Sequence, residues 1–379
     1  MKTQIAIITR KMIMGGVERA LIAMLNQFNY ENVDVDLYVE KEGGELFDEI
    51  PEKVNVSCLS TVNSRNIICH PIVGVRKLLC KNQLKKKNLT YLEQNKISSE
   101  MLIPIRKKYD VAIAYHAPNT VPIFYVTDKI HAKRKILWLH GNMESNHGNH
   151  SLAIKYHGKY DKIFAVSKSV YESFLKYHLD MKTQTEVFYN YVDLKSIKHK
   201  VETGETYQDG FDGTRILTIG RLAQQKGLDI AIEVCRQLID KGYNIRWYVC
   251  GEGEERKGLE EAIIENQLQD FFVLLGNQDN PYRFLSDCDL YVQPSRFEGF
   301  CTTTNEARIL CKPVITTEVS GAREQFVNNV TGWIVPIEKE AIFEKIEGCL
   351  QHPEQLKEIA NNLKNMKLQS SEMIDKIFE

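Results

Sequence analysis

Two glutamates between Pro294 and Ala307 could bind the hydroxyl groups of a sugar. Glu298 and Glu306 lie eight positions apart, in a segment that starts as a loop after an apolar run and continues as a helix. Eight residues of helix span about 12 Å, and a carboxylate can accept two hydroxyl hydrogen bonds in one plane. The pair could therefore bind the ribose and the sugar of one nucleotide-sugar. From this spacing alone, a capping Glu298 and a solvated Glu306 are the alternative.

A second polar cluster follows the apolar run Arg215–Gly220. Arg221 comes directly after that run, and Lys226 precedes Gly227 and an amphipathic helix. Two cations beside the free amides of a helix start suit a diphosphate, whose charge would otherwise stay unpaired. A solvated basic loop is the alternative, but this spacing favours phosphate binding.

The N-terminal half places two kinds of candidate residue at strand ends. Gly15 and Gly16 follow the first apolar run and open a helix, so they either let the backbone approach an anion or serve the turn geometry alone. His140 ends the run Ile136–His140, where we expect it to face a cleft. A histidine at a strand end often has a structural role only.

Three patterns resemble metal sites, and we expect none of them to bind a metal. His147 and His150 continue a histidine pattern from His140, but further ligands are not evident. Two Asp-x-Asp triplets, Asp34–Asp36 and Asp287–Asp289, lie at strand beginnings, away from the ligand end, and suit solvated or capping aspartates.

Short β-branched runs alternate with longer amphipathic ones in both halves of the chain. This alternation predicts parallel sheets covered by helices, which bind ligands beyond the carboxyl ends of their strands. The predicted strands are Gln4–Thr9, Val33–Val39, Tyr109–Tyr115, Lys135–His140, Lys162–Ser167, Arg215–Gly220, Arg246–Gly251, Phe271–Leu275, Asp289–Pro294 and Pro313–Thr317.

The organisation predicts two domains joined by a linker. Residues 1–195 form the N-terminal domain, and residues 205–365 form the C-terminal domain. The polar, strand-free segment 194–214 marks the linker. We expect residues 366–379 to form a C-terminal helix that packs back on the N-terminal domain.

Composition excludes several classes of protein. The 379 residues are 43% hydrophobic and 26% charged, as in globular domains. A formal net charge of −1 gives no basic field, so we expect no nucleic-acid partner. No apolar run approaches the ~18 residues of a membrane helix, the first residues lack a signal-peptide core, and the nine cysteines form no CxxC pair. We therefore expect a cytoplasmic protein with reduced thiols.

One segment departs from the balanced charge. Residues 65–110 hold eleven Lys or Arg against three acids, with apolar residues among them. A basic amphipathic stretch of this kind indicates either a helix on an anionic membrane surface or a solvated helix with a lysine fringe.

The candidate motifs together resemble the glycosyltransferases of the GT-B fold, specifically the retaining family 4, formerly called group 1. The likeness covers most of the C-terminal half and isolated points of the N-terminal half. Two glycines usual in the family are replaced by Cys301 and Cys311, and Thr302–Thr304 stand where apolar residues are usual. The matching motifs are Pro294-Ser295, Glu298-Gly299-Phe300, Glu306-Ala307, Pro313-Val314, Gly220-Arg221-Leu222, Lys226-Gly227, Gly251-Glu252-Gly253, Gly15-Gly16 and the stretch 319–335.

The resemblance implies an α/β fold of GT-B architecture, in which two Rossmann-like, doubly wound parallel-sheet domains face each other across a cleft. It implies that Arg221 and Lys226 hold the donor diphosphate, that Glu306 binds the ribose, and that Glu298 and His140 are catalytic, near the transferred sugar. A side chain at position 301 should crowd the donor pocket. The other implied donor-binding residues are Gly15, Gly16, Asn277, Gly299, Phe300 and Cys301.

The activity that the resemblance implies is transfer of a hexosyl or N-acetylhexosaminyl group with retention of configuration. The donor is a nucleoside-diphosphate sugar, by family habit UDP-linked, and the acceptor is a hydroxyl of a glycan or lipid-linked molecule in cell-surface polysaccharide synthesis. No cofactor and no divalent metal is implied. The resemblance makes the N-terminal domain the acceptor-side domain and the C-terminal domain the nucleotide-sugar-binding domain. Because related enzymes often use lipid-linked acceptors, we expect residues 65–110 to attach the protein peripherally to the inner face of the cell membrane. The alternatives are a nucleotide-sugar epimerase or hydrolase of the same fold, and a non-catalytic GT-B scaffold subunit.

Overall fold

The protein folds as two compact α/β units. The structure, a computed structural model, describes residues 1–59, 71–86, 88–143, 150–366 and 371–379. The first unit comprises Met1–Tyr191 together with Ser371–Glu379, and the second comprises Val192–Ser370.

The first unit is built on a seven-stranded parallel sheet in the order β3-β2-β1-β4-β5-β6-β7. Its central strands are rich in Ile, Val and Ala and are buried almost throughout, because helices cover both faces of a doubly wound sheet. The strands are β1 Thr3–Thr9, β2 Val33–Val39, β3 Asn55–Cys58, β4 Lys108–Ala117, β5 His131–Leu139, β6 Lys162–Ala165 and β7 Thr185–Val187.

Six helices are described in the first unit, and the C-terminal segment packs on the same unit. Lys376 Nζ donates a hydrogen bond to Glu186 Oε2 at 2.9 Å, and the side chain of Arg134 donates one to the carbonyl of Ile377 at 3.3 Å. The helices are α1 Gly16–Leu25, α2 Pro71–Leu84, α3 Tyr91–Glu100, α4 Val121–Lys129, α5 His150–His157 and α6 Lys168–Leu175.

The second unit has a six-stranded parallel sheet in the order β10-β9-β8-β11-β12-β13. Its strands are β8 Thr214–Ile219, β9 Ile245–Cys250, β10 Phe272–Gly276, β11 Leu290–Gln293, β12 Val314–Thr317 and β13 Trp333–Val335. The helices described in it are α7 Leu194–Glu202, α8 Leu228–Asp240, α9 Arg256–Glu265, α10 Pro281–Asp287, α11 Thr302–Ile309, α12 Ala322–Gln325, α13 Lys339–Gln351 and α14 Glu354–Lys364.

The strand order sets where a ligand can bind in each unit. In the first sheet, β1 lies between β2 and β4, and in the second sheet β8 lies between β9 and β11. The chain therefore winds in opposite directions from β1 and from β8. The loops that leave β1 and β4, or β8 and β11, diverge at such a switch point and leave a crevice beyond the carboxyl ends of the strands.

All ten strands predicted from the sequence are present, and the parallel α/β class is confirmed. Three edge strands, β3, β7 and β13, were not predicted, because runs of three or four residues are too short to show a period of two. The predicted linker also contains helix α7. Asp193 caps this helix by accepting a hydrogen bond from the amide of Ser196, and the side chain of Asn280 donates to the carbonyl of Lys200.

Candidate functional site

A buried ion pair lies at the carboxyl edge of the second sheet. Lys226 ends a short 3-10 turn in the loop that follows β8, and Glu298 lies in the loop after β11. Lys226 Nζ donates to Glu298 Oε1 at 2.7 Å, and Ser295 Oγ donates to the same oxygen at 2.7 Å. The side chains of Lys226 and Glu298 are only 16% and 8% exposed. The structure thus brings two of the predicted site residues into direct contact.

The ammonium of Lys226 stays charged in this setting. Burial by itself lowers the pKa of Lys226, but the charge of Glu298 and the hydrogen bond to it outweigh burial and raise the pKa above its usual value. The charge of Arg221 acts in the opposite direction and lowers the pKa of Lys226, so the loop after β8 carries two interacting cations. This arrangement suits a ligand that is itself strongly negative.

A chain of buried hydrogen bonds holds the carboxylate of Glu298 in place. Gln293 Nε2 donates to Ser295 Oγ at 2.9 Å, and Tyr291 OH donates to Gln293 Oε1 at 2.6 Å. Thr303 Oγ1, from the first turn of α11, donates to the same amide oxygen at 3.3 Å. Because Tyr291, Gln293 and Ser295 are all fully buried, the network fixes the oxygen of Glu298 that Lys226 contacts.

Sequence reasoning missed the roles of Tyr291 and Gln293. Their signal is the period of two along β11 and its continuation, in which Tyr291, Gln293 and Ser295 alternate with apolar residues or proline. Three polar side chains on one face of a short central strand indicate a buried network rather than a solvated edge.

Glycine and backbone contacts hold the two loops together. Gly227 has φ +65°, and a Cβ at this position would lie 2.1 Å from the carbonyl oxygen of Pro294. The amide of Arg296 donates to the carbonyl of Gln225 at 2.8 Å, and Gln225 Nε2 donates to the carbonyl of Phe297 at 2.9 Å. The loop after β8 can therefore approach the loop after β11 closely only because residue 227 has no side chain.

Glu306 has a different environment from Glu298. It lies within α11, is 5% exposed, and accepts a hydrogen bond from Tyr282 OH at 3.0 Å. Neither Lys226 nor Ser295 donates to it in the hydrogen bonds of the described residues. The two glutamates that the sequence grouped by spacing therefore belong to two hydrogen-bonded clusters.

Cys301 is the N-cap residue of α11, and its side chain is buried. Its Sγ lies 3.3 Å from Thr303 Oγ1, and burial, helped by the charge of Glu298, raises the pKa of the thiol. Thr304 supports the same turn, because its Oγ1 lies 2.9 Å from the carbonyl oxygen of Cys301 and 2.7 Å from Gln325 Oε1, and its one proton is shared between these two acceptors. The threonines thus form the helix start through hydrogen bonds where apolar side chains were expected.

The remaining predicted residues of the second unit also lie beyond strand ends. Arg221 is exposed, two residues after the end of β8, and Asn277 is exposed directly after β10. Gly299 and Phe300 precede Cys301, and a Cβ on Gly321 would lie 3.1 Å from the ring of Phe300. All of these positions belong to the carboxyl edge of one sheet, as the sequence predicted.

In the first unit, His140 follows β5 and is neutral. Its ring lies 4.7 Å from that of Tyr115 and 6.2 Å from that of His116, and burial holds its pKa well below the usual value. Burial, with the charge of Arg10, lowers the pKa of His116 to about 3. The 3.9 Å approach of His116 Nδ1 to Glu18 Oε1 is therefore a contact between a neutral imidazole and a carboxylate.

Glu18 is a further residue at this edge that sequence reasoning missed. It is 4% exposed in the first turn of α1, and a Cβ on Gly15 would lie 2.4 Å from its Oε2. The carboxylate of Glu18 thus lies over the Gly15-Gly16 turn, where the sequence predicted room for a ligand anion. The signal available beforehand was an acid three residues after the glycine at the helix start.

Neither a metal cluster nor a spanning helix occurs in the described part of the chain. In those residues, no group of three or more His, Cys, Asp or Glu side chains is arranged to hold a metal ion. His147 lies outside the described residues, as do residues 60–70 and Lys87 of the basic segment. Within the described ranges, no helix combines the length and the hydropathy that crossing a bilayer requires.

Comparison with known proteins identifies a family model that matches within the second unit and relatives that match more than half of the chain. Residues 210–366 match the family model described as glycosyl transferases group 1. An uncharacterized glycosyltransferase of Methanocaldococcus jannaschii is 32% identical over 237 residues, which are 57% of this chain and 58% of that protein. An N-acetylgalactosaminyltransferase of Campylobacter jejuni, named for a diphospho-undecaprenol acceptor, is 27% identical over 231 residues, which are 60% and 61% of the two chains. The chain thus spans about three fifths of these curated relatives.

Solved structures share the fold over the whole chain. Anabaena HepE, in complex with UDP and glucose, is 18% identical with a TM-score of 0.70, covering 99% of this chain and 95% of that one. A glycosyltransferase from Rickettsia africae is 21% identical with a TM-score of 0.68, covering 100% and 99%. The predicted fold class, α/β with the GT-B architecture, is therefore confirmed.

Proposed function

We propose that this protein, whose residues 210–366 belong to the glycosyl transferases group 1 family, is a glycosyltransferase that moves a hexosyl or N-acetylhexosaminyl group from a nucleoside-diphosphate sugar to a hydroxyl acceptor. The donor is UDP-linked, and the acceptor is a glycan or lipid-linked molecule in polysaccharide synthesis. The complex of HepE with UDP and glucose supports the donor, and the diphospho-undecaprenol acceptor in the name of the Campylobacter jejuni relative supports the acceptor class.

The observation that carries the proposal is the buried contact between Lys226 and Glu298. A lysine kept charged beside a carboxylate that a hydrogen-bond network holds in place is a preorganised pair. Such groups stabilise charge as it develops, because they do not need to reorient during the reaction. Lys226 and the nearby Arg221 can balance the negative charge of a departing diphosphate. The carboxylate of Glu298 can accept hydrogen bonds from sugar hydroxyls.

The other site residues take the roles that the family likeness gives them. Glu306 binds the ribose, Asn277 lies near the base, and the amides of Gly299, Phe300 and Cys301 lie near the sugar and phosphate. His140 is the catalytic candidate of the first unit, and Gly15 and Gly16 of the α1 turn are its donor-binding candidates. Because burial keeps His140 neutral, its imidazole donates or accepts hydrogen bonds rather than contributing charge.

The reaction proceeds with retention of configuration by substitution on one face of the sugar. The bond between the anomeric carbon and the β-phosphate oxygen breaks, and the acceptor oxygen forms a bond to the same carbon. The acceptor proton passes to the departing phosphate oxygen, so the products are a glycoside and a nucleoside diphosphate. Arg221, Lys226 and helix amides balance the charge that develops on the phosphate, and no metal ion or cofactor is required.

A panel of nucleotides and nucleotide-sugars tests the proposal. A ligand that binds only the native state raises its melting temperature, so UDP and its cognate UDP-sugar should shift the transition while GDP and its sugars should shift it less. Titration calorimetry with UDP and GDP then gives the affinities, and NMR of the glycoside product gives the anomeric configuration. No binding of any nucleoside diphosphate would contradict the proposal and favour a scaffold. Nucleotide release without any glycosylated product would favour a hydrolase or epimerase.

We further propose that the basic segment binds the anionic inner face of the cell membrane. On the described part of α2, Leu78 and Leu79 are 60% and 58% exposed, and Lys81, Lys85 and Lys86 are exposed nearby. Exposed apolar side chains with a lysine cluster fit the boundary between headgroups and acyl chains.

Co-sedimentation with vesicles tests this attachment. Vesicles containing phosphatidylglycerol should retain the protein, and pure phosphatidylcholine should not. Changing Lys81, Lys85 and Lys86 to Glu should abolish the retention, whereas Lys257→Glu, at an exposed lysine of the second unit, should not. Equal retention of the triple variant would exclude this segment as the attachment site.

A further inference from the structure

An exposed aromatic ring interrupts the polar loop that carries Glu298. Phe297 is 52% exposed, although the residues on both sides of it make specific contacts. A phenylalanine ring left half in water forgoes part of the free energy that burial provides. Single exposed apolar residues are common, so exposure alone assigns no role. The surroundings of Phe297 are what distinguish it.

The backbone beneath Phe297 is anchored on both sides. Arg296 donates two hydrogen bonds to the carboxylate of Asp229, at 2.7 and 2.6 Å. The carbonyl of Phe297 itself accepts from Gln225 Nε2 at 2.9 Å, and Glu298 is held by Lys226. The ring is therefore presented from a fixed loop rather than from a mobile one, and a ligand that contacts it meets a small cost in ordering entropy.

The neighbouring side chains indicate the chemistry of that ligand. A pyranose ring has faces made of C–H groups and a rim of hydroxyls, so it binds where an apolar surface adjoins hydrogen-bonding groups. Phe297 supplies the apolar surface, and the Arg296–Asp229 pair, whose side chains are 32% and 56% exposed, supplies hydrogen-bonding groups at the neighbouring residue. A purely apolar ligand would gain nothing from the charged pair, and a purely polar one would gain nothing from the ring.

The side chains of Glu298 and Phe297 point in different directions, so they can contact two different saccharides. Glu298 turns inward to Lys226 and Ser295 and is buried, whereas the adjacent Phe297 is turned to solvent. The donor sugar of the proposed reaction belongs with the buried groups. We propose that the ring of Phe297 is a stacking surface for a hexopyranose of the acceptor and so determines acceptor specificity. This inference rests on the proposed transferase function.

Saturation-transfer NMR with methyl hexopyranosides, in the presence of UDP, tests the inference. The methyl glycosides of glucose, galactose and N-acetylglucosamine serve as probes, and Phe297→Ala, Phe297→Trp and the exposed control Ile264→Ala are compared with the wild type. For the preferred hexoside, Phe297→Ala should weaken binding roughly three- to tenfold, the range of aromatic contacts. Phe297→Trp and Ile264→Ala should bind like the wild type, and the UDP affinity should be the same in all four proteins.

The outcomes separate this inference from the proposed function. Equal hexoside signals in the wild type and Phe297→Ala, or no hexoside signal in the wild type, overturn the stacking role even when UDP binds. Binding of farnesyl phosphate that depends on Phe297, without binding of hexosides, overturns it in favour of an apolar chain. If the wild type binds no nucleoside diphosphate, the transferase proposal itself fails, whatever the hexosides show.

Discussion

The two units differ in how they treat the polar groups at the carboxyl edges of their sheets. In the second unit, the carboxylate of Glu298 accepts from Lys226 and Ser295, and Ser295 in turn is held by Gln293. Each member of this network has a partner within the unit. The geometry of the site is therefore set before a ligand arrives.

At the carboxyl edge of the first sheet, several buried polar atoms have no hydrogen-bond partner in the described residues. Within the described residues, the buried side-chain atoms that accept or donate no hydrogen bond include four near this edge: Thr9 Oγ1, His116 Nδ1, Asn119 Oδ1 and His140 Nε2. Thr9 ends β1, Asn119 follows β4 and His140 follows β5, so all lie near the switch point of that sheet. Buried polar atoms of this kind obtain their hydrogen bonds from water or from a ligand.

The same sheet topology therefore carries two kinds of site. A closed charged network suits stabilisation of charge on a reacting group, which requires fixed dipoles and charges. An edge with unused hydrogen-bonding atoms suits recognition of a polar ligand such as a sugar. We therefore expect substitutions in the buried Lys226–Glu298 network to change turnover and stability together, and substitutions at the first edge to change binding with less effect on stability.

The largest effect should come from Glu298→Gln. This change removes the charge that keeps Lys226 paired, so turnover should fall roughly 10²- to 10³-fold. The remaining buried ammonium should also lower the free energy of unfolding by up to about 3 kcal/mol. Steady-state kinetics and urea denaturation measure the two effects.

A double variant separates the two consequences of that substitution. Glu298→Gln with Lys226→Met removes both charges, so it should recover much of the lost stability but none of the turnover. Glu318→Gln breaks an exposed ion pair with Arg323 in the same unit and should change the free energy of unfolding by less than about 0.5 kcal/mol. Near-wild-type turnover of Glu298→Gln would remove this carboxylate from the mechanism.

More of the second unit's candidate residues than of the first unit's could be placed from the sequence. Arg221, Lys226 and Glu298 each follow a strand whose apolar run is evident, so their place at the carboxyl edge could be derived. The contact between Lys226 and Glu298 could not, because it joins residues 72 positions apart through the packing of two loops. Spacing also grouped Glu306 with Glu298, but it could not show that Tyr282, on another helix, donates a hydrogen bond to Glu306.

In the first unit, the limits of sequence reasoning have a different cause. Gly15 and Gly16 left open whether their turn binds an anion or serves the chain geometry alone, and the spacing could not show that the side chain of Glu18 reaches back over this turn. His140 was found because it ends a strong apolar run. Thr9, His116 and Asn119 were not found, because polar residues near a strand end are common and only the folded structure shows how little of these three is exposed.

A pair of glycine substitutions sharpens the comparison of the two strand–helix turns. Gly227→Ala places a Cβ 2.1 Å from a backbone oxygen at φ +65°, so it should destabilise the protein by at least about 2 kcal/mol. Gly15→Ala meets only the movable end of Glu18, from an extended backbone, and should cost less than about 1 kcal/mol. Urea denaturation measures both.

Gly242→Ala isolates the conformational part of the Gly227 effect. Gly242 has φ +81° with nothing within 4 Å of the added Cβ, so its substitution carries the backbone cost without a clash. The difference between Gly227→Ala and Gly242→Ala is then the energy of the close approach to Pro294. Equal losses for the two variants would show that the loops separate easily, and the second unit's site would be less rigid than its contacts indicate.

Acid should weaken the first unit through a buried histidine pair. His157 Nδ1 lies 3.1 Å from His178 Nε2, and His157 Nε2 lies 3.1 Å from the carbonyl oxygen of Pro118. Burial lowers the pKa of His157 to about 4, whereas an unfolded histidine titrates near 6.5. The unfolded chain therefore binds the extra proton first as the pH falls.

The sign of the effect follows from this linkage. The stabilisation is complete above about pH 6.5 and is lost as the pH falls towards about 4, by up to roughly 3 kcal/mol. Urea denaturation across this range should show a smaller pH slope for His157→Gln than for the wild type. His352→Gln, at an exposed histidine of the second unit, should keep the wild-type slope. An unchanged slope in His157→Gln would assign the acid sensitivity to other groups.

The smallest effect should separate two arginines at equivalent places in the two units. Arg221 follows β8 and Arg10 follows β1, and both are exposed, so neither substitution to alanine should change the melting temperature. Arg221→Ala should weaken UDP binding about tenfold, since it removes one charge-assisted contact to the diphosphate. The loss should shrink as the ionic strength rises, because salt screens an exposed charge. Arg10→Ala should leave the UDP affinity unchanged. Equal losses of UDP affinity in both variants, measured by calorimetry, would contradict the assignment of the nucleotide to the second unit alone. They would also contradict the different roles that the two sheet edges indicate.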